Sequence, residues 1–155
     1  ILSIRKFIFK YILGINKNIP WNVHFTSQTV APERISFPNG MGKYSPGDSM
    51  GNYIQAINGI EFEKNVNMGP NVVIISANHA VTNYSMHVKS LPIKIGNEVW
   101  VGANTVILSG VTNADHCVIG AGSVVTKSFL EKGSIIVGNP SKAIKTYDYS
   151  CKKTE

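Results

Sequence analysis

Cysteine is scarce in this chain, two residues in 155, and that scarcity excludes a disulfide framework as the source of its stability. Cys117 and Cys151 carry no metal-site spacing either, and a reducing cytoplasm is the expected compartment. Long apolar runs are missing as well. None approaches the roughly 18 residues of a membrane span, although the 43% apolar content suffices for a soluble core. Acidic residues are few, nine against fifteen Lys and Arg, which leaves a net charge of +6. That surplus favours an anionic ligand or surface. It does not favour nucleic acid, because the lysines are scattered and no basic run forms.

What the chain has instead is a six-residue rhythm. Beyond residue 95 an apolar residue recurs at one place of each hexad, as Ile95, Val101, Ile107, Ile119, Val125 and Val137. A small or branched residue recurs at the fifth place, as Val99, Thr105, Val111, Cys117, Ser123, Ile135 and Ser141. Gly and Asn gather between them, and both tolerate the positive φ of a sharp corner. A period this short does not fit a helical solenoid, and its regularity does not fit a sandwich. It predicts a parallel β-helix, with one short strand and one corner per hexad. Three hexads make a coil of about 18 residues, so residues that far apart would stack in vertical columns roughly 4.8 Å apart.

An earlier register, over residues 50–79, puts Met50, Ile54, Ala56, Ile60, Phe62, Val66, Met68, Val72 and Ile74 inward, with Asn78 as the exception. Ile74 and Ile95 are 21 residues apart, which is not a multiple of six. Residues 80–92, AVTNYSMHVKSLP, are therefore read as a loop thrown out from the coil, a common place for function. The expected organisation is a single domain over 1–155. It comprises a short helix and an irregular lead-in over 1–49, a β-helix over 50–146 and a polar tail over 147–155. The start, ILSIRKFIFKYILGI, sets Leu2, Ile4, Phe7, Ile8, Tyr11 and Ile12 among Arg5, Lys6 and Lys10. This pattern predicts a helix ended near Gly14. It lacks the apolar core and cleavage site of a secretory signal. Two readings stand for it: a helix packed on the body, or an interfacial helix making peripheral contact with the inner face of the membrane.

The stretch from Gly69-Pro70-Asn71 through Ser76-Ala77-Asn78-His79, the loop after it, WVGANTVILSGV, IGAGSVVTKS and VGNPSKAIK together resemble the hexapeptide-repeat acetyltransferases. The resemblance covers roughly residues 50–146 and is nearest to the galactoside, maltose and xenobiotic acetyltransferases. It implies an all-β, left-handed parallel β-helix and an acetyl-CoA-dependent O-acetyltransferase. The implied acceptor is a sugar or a surface-polysaccharide precursor, and transfer is direct in a ternary complex. It also implies a homotrimer with sites between protomers, and no metal.

In that resemblance His79 takes the place of the general base. Its hexad position is outward, at the mouth of the loop, and a neutral imidazole suits removal of a hydroxyl proton. Glu61 lies 18 residues earlier at the same hexad place, so an unbroken coil would set it beneath His79 to orient the ring. Binding the acceptor, or facing water, is the alternative for Glu61. Ala103, Ala121 and Asn139 form one expected column, a smooth groove for a pantetheine arm. Ser109, Lys127 and Lys145 form another, in which two lysines would repel unless an anion lay between them.

The resemblance gives coenzyme contacts to Ala103, Ala121, Thr126, Lys127, Lys142 and Lys145. It sets Trp100 beside the coenzyme arm or a neighbouring protomer; packing beneath the 80–92 loop is the alternative for that ring. Lys142 and Lys145, which are Arg in some relatives, offer point charges in place of a bidentate fork. The backbone N–H groups near Gly102 and Ala103 are candidates to receive an oxyanion. Asp48, Asn52, Asn58 and His87 are candidates to bind the acceptor. A small acceptor such as serine, an amino sugar or an antibiotic is the alternative substrate, and a non-enzymatic scaffold the alternative class. A zinc anhydrase on the same solenoid needs a clustered pair such as H-x-x-x-x-H, whereas His79 and His87 are eight apart.

Overall fold

The computed structural model describes Ile4 and residues 7–149; Leu2, Arg5, Lys6 and Cys151 lie outside the described residues. Hexads that keep the rhythm form strands of two or three residues, because the first and fifth places can both turn inward only around a corner between extended segments. The first face stacks Gln28–Val30, Tyr53–Gln55, Val73–Ile75, Val106–Ile107 and Val124–Val125. The second stacks Ile35–Ser36, Ile60–Phe62, Ile93–Ile95 and Thr112–Asn113. The third stacks Asn67–Met68, Trp100–Val101, Val118–Ile119 and Ser134–Gly138. All these pairings are parallel, and the chain climbs as the left-handed three-sided β-helix that the repeat and the resemblance imply.

Ile54, Ile60, Phe62, Met68, Ile74, Ile95, Val101, Ile107, Ile119 and Val125 fill its narrow interior, each at most 1% exposed. Corners repeat in columns too. Asn71 and Asn104 turn with φ of 56° and 58°, and Gly122 stands above them at 70°. Gly69 and Gly102 precede that corner, where a Cβ on Gly102 would lie 2.5 Å from the backbone nitrogen of Ala121. Only a bare Cα lets successive coils approach so closely.

The coils are not all of one length, and this corrects several expectations. Tyr53 pairs with Val73, 20 residues on; Val73 pairs with Val106, 33 on; Val106 pairs with Val124, 18 on; Val118 pairs with Ile135, 17 on. The solenoid also begins earlier than expected, since Gln28–Val30 and Ile35–Ser36 lie inside the supposedly irregular lead-in. In the first register Ile54 shares a column with Ile74. Met50 is therefore 59% exposed, not inward, while Ala56 is buried at a widened corner. The coil of 17 shifts the last strand by one residue, so Ser134 and Ile136 turn inward and Ile135 and Val137 do not.

After Gly138 the chain reverses, and Ser141–Thr146 pairs antiparallel with Ser134–Gly138. At the other end, the expected helix is helical at the described residues Ile4 and Phe7 and continues as a π-helical turn over Ile8–Ile12, with no buried residue in that turn. Among the described residues no helix is long and apolar enough to cross a membrane.

Candidate active site

The excursion leaves the solenoid where the first face ends. Ser76 and Ala77 are buried there, and Ala77 N–H donates to Gln55 Oε1 at 3.0 Å. Asn58 clasps both legs of the excursion. Its Nδ2 donates to Ser76 O (2.9 Å), Val88 O (2.8 Å) and Ser90 Oγ (3.0 Å), and its N–H donates to Ser76 Oγ. Above this neck His79–Ala80 and Asn83–His87 pair as an antiparallel hairpin.

His79 and His87 are direct partners across the hairpin, their ring centroids 4.6 Å apart at a 36° tilt. Both are exposed. Asn78 Nδ2 donates to Ser109 Oγ at 3.1 Å and fixes the neck to the coil above. The chemical capacity here is that of an accessible imidazole with a second imidazole against it, held on a rigid frame.

Glu61 is not beneath His79. The 33-residue coil puts Lys94 beside it in register, and Lys94 Nζ lies 2.9 Å from Glu61 Oε2. The 18-residue spacing fails because the excursion intervenes before the second face resumes. Among the acceptor candidates, Asn52 is 1% exposed and donates from Nδ2 to Gly69 O, so it belongs to the core. Asn58 spends its amide on the clasp. Asp48 is exposed, with its carboxylate accepting the Ser45 N–H, and it stands before the first face whereas His79 follows it.

Two corners therefore divide the candidate residues. Where the third face turns into the first, Ala103 and Ala121 do stack, as Gly122 N–H donating to Ala103 O shows. Trp100 approaches this corner on the third face at 55% exposure, far from the excursion's neck, so the loop does not cover it. Gly102 donates its N–H to Ile119 O at 2.8 Å and is not free to receive an oxyanion. Asn139 does not continue the alanine column, because the coil of 17 and the chain reversal end it.

Where the first face turns into the second, Thr126 and Lys127 stand on the side of His79, with Lys127 Nζ 5.8 Å from the Phe129 ring centroid. Lys145 pairs with Ile135 and Lys142 with Val137 on the antiparallel strand at the third face. Lys127 and Lys145 thus lie on different faces, and the expected lysine column is not formed. The residues of one coil that link the corners, Ala103 to Ser109, span roughly 20 Å at most.

Sequence reasoning missed the anchoring set Gln55, Ser76 and Ser90, and the Glu61–Lys94 pair. A signal for the pair was present. Gly69-Pro70-Asn71-Val72-Val73-Ile74 and Gly102-Ala103-Asn104-Thr105-Val106-Ile107 share the pattern G-x-N-x-V-I at a separation of 33, which is also the separation of Glu61 and Lys94. Cys117 is in the core, and burial pushes its thiol up from the ordinary range. Among the described residues no three His, Cys, Asp or Glu side chains gather as a metal site.

Comparison with known proteins adds the following. Residues 92–127 match the bacterial transferase hexapeptide family (six repeats). Galactoside O-acetyltransferase of Escherichia coli (strain K12) is 42% identical over 86 residues, which are 52% of this chain and 41% of that protein. A maltose O-acetyltransferase structure from Clostridium difficile 630 superposes with a TM-score of 0.66 at 30% identity, over 82% of this chain and 66% of that one. A galactoside acetyltransferase in complex with coenzyme A superposes with a TM-score of 0.57 at 25% identity, over 83% and 69%. The chain spans about two-fifths of the length of the curated relatives it matches first, 42% and 41%.

Proposed function

We infer that this chain, a hexapeptide-repeat protein of the acetyltransferase family, moves an acetyl group from acetyl-CoA to a hydroxyl of a sugar or surface-polysaccharide precursor. The observation that carries the reading is the His79–His87 pair at the clasped neck of the excursion, on a solenoid like that of a relative bound to coenzyme A.

In this reading His79 accepts the proton of the acceptor hydroxyl as its oxygen attacks the thioester carbonyl carbon. A C–O bond forms, the tetrahedral intermediate collapses, and the C–S bond breaks. The departing thiolate takes the proton back from the imidazolium, and free coenzyme A leaves. No acyl-enzyme is required, and the buried thiol of Cys117 is unsuited to form one. The ring of His87 offers its face to the cation that His79 becomes, in the manner of a cation–π contact. Glu61, which Lys94 holds, takes no part in orienting His79 in this reading.

The coenzyme has residues that suit it. Ala103 and Ala121 leave a smooth strip for a narrow arm, and Trp100 offers an exposed ring beside it. Lys142 and Lys145 are exposed on the neighbouring edge strand and offer charge to phosphates. The separation of this corner from the histidine corner in one chain supports a site shared between protomers, as in the homotrimer that the resemblance implies. In it Thr126, Lys127 and His79 of one protomer face the alanine strip of the next.

A free-thiol release assay with acetyl-CoA and a panel of sugars tests the reading. Thiol release that depends on a sugar is expected, with His79→Ala slower by about 10²–10⁴-fold. Full turnover by His79→Ala would remove the base. Activity on amines alone would move the substrate class, and failure to bind acetyl-CoA at millimolar levels would leave a scaffold.

A further inference from the structure

We propose that the N-terminal segment is a docking surface for an anionic lipid bilayer. Its charge is the first reason. Residues 1–32 contain none of the chain's nine Asp and Glu but hold Arg5, Lys6, Lys10 and Lys17. The other 123 residues balance eleven cations against nine anions, so most of the +6 is concentrated in a fifth of the chain.

The second reason is how the segment is held. Phe9 stacks on Phe25 with ring centroids 4.0 Å apart, and Lys10 Nζ donates to Ile19 O at 2.7 Å. Ile19 is itself buried in the core. These two contacts tie the turn to the body and leave the rest of its apolar side chains outward. Phe7 is 57% exposed, Tyr11 65%, Ile12 66% and Leu13 58%. Phe7 and Tyr11, one helical turn apart, touch at 5.4 Å and form one ridge.

An apolar ridge of this kind, on a segment whose own charged residues are all cations, with Glu33 beside Lys17 as the acidic neighbour, matches an interface whose acyl region is apolar and whose headgroups are anionic. It matches a symmetric second copy poorly, since two such segments face to face would bring eight positive charges together. Docked this way, the solenoid would meet hydroxyls presented at a membrane, but the lipid contact does not depend on any acetyl transfer.

Co-sedimentation of the full chain with vesicles of phosphatidylglycerol or of phosphatidylcholine reads the contact directly. Binding to the anionic vesicles is expected to exceed binding to the neutral ones by at least about tenfold at low salt, and to fall as salt rises. Phe7→Ser with Ile12→Ser changes exposed side chains only, and should release the protein from both vesicles while its circular dichroism spectrum is kept. Lys6→Glu with Lys17→Glu should cancel the preference for anionic lipid. Three results would overturn the proposal: wild-type protein left in the supernatant, equal binding to both vesicles, or binding indifferent to the Phe7 and Ile12 changes. A fall in oligomeric mass caused by those changes without vesicles would also overturn it, in favour of a second copy.

Discussion

His87 meets His79 where a carboxylate is expected, and an imidazole partner behaves differently from an anion. A carboxylate attracts the developing imidazolium by charge. A ring at 4.6 Å supports it through its π face, which any flat aromatic can imitate. His87→Phe should therefore keep turnover within about threefold, and His87→Ala should lose about tenfold in kcat, with KM for acetyl-CoA unchanged in both. Steady-state kinetics of the two variants decide it; equal loss in both would show that the ring's nitrogens matter and not its face. A second side chain governs stability alone. Asp115 accepts hydrogen bonds from Lys132 Nζ (2.7 Å) and from Asn97 N (2.9 Å) and Nδ2 (3.1 Å). The lysine first, and then the Asn97 bonds against the cost of burial, hold its carboxyl at about 2, below the usual 3.8. A lowered folded value means the stabilisation is complete above the unfolded value and is lost as pH falls from about 4 toward 2. Asp115→Asn should cost about 1 kcal/mol at pH 7, discounted for the solvent-exposed lysine. The difference from wild type should vanish near pH 2, as urea melts at several pH values would record.

At the scale of elements, one amide bridges both legs of the excursion. Asn58 Nδ2 serves three acceptors on two legs of the hairpin. Asn58→Ala leaves the Val88 carbonyl without its side-chain donor, while Ser76 O keeps the Ser90 hydroxyl, at a cost of about 1–3 kcal/mol to the neck but not to the coils. The Val88 amide, bonded to Asn78 O at 2.7 Å, should then exchange its proton about tenfold faster or more. Core amides such as that of Val106 should be unchanged; slow exchange at Val88 in the variant would mean that the hairpin pairing holds itself. The inward columns around Ile95, Val101 and Ile107 were legible in the sequence because burial at the first and fifth places is local to each hexad. The Ala103–Ala121 pair was legible for the same reason, since no insertion separates those coils. Columns that cross an irregular coil were not. Glu61 and His79 are 18 apart in sequence, but an extra turn of chain between the faces gives Glu61 to Lys94. Lys145 follows a reversal that nothing in a hexad count announces. Asn52 and Met50 exchanged places because the corner before Ile60 holds two residues more than a regular hexad corner.

For the whole molecule, the decisive fact is that one coil separates its two candidate corners by the width of a face. His79 follows the first face, and Ala103 and Ala121 precede it. A ternary complex needs thioester and base within contact distance, which favours a site shared between protomers over one closed across a single chain's own face. If neighbouring protomers supply opposite corners, two inactive variants can repair each other. His79→Ala removes the base, and Ala121→Trp fills the strip with an outward ring that leaves the core alone. Each should be inactive by itself. Mixed in equal amounts and reassembled, a working site needs its histidine from one variant and its strip from the other. Random assortment gives this at about a quarter of the sites, so roughly a quarter of wild-type thiol release should return. A site formed within one chain would recover nothing at any mixing ratio, because each protomer would carry one lesion in its own site.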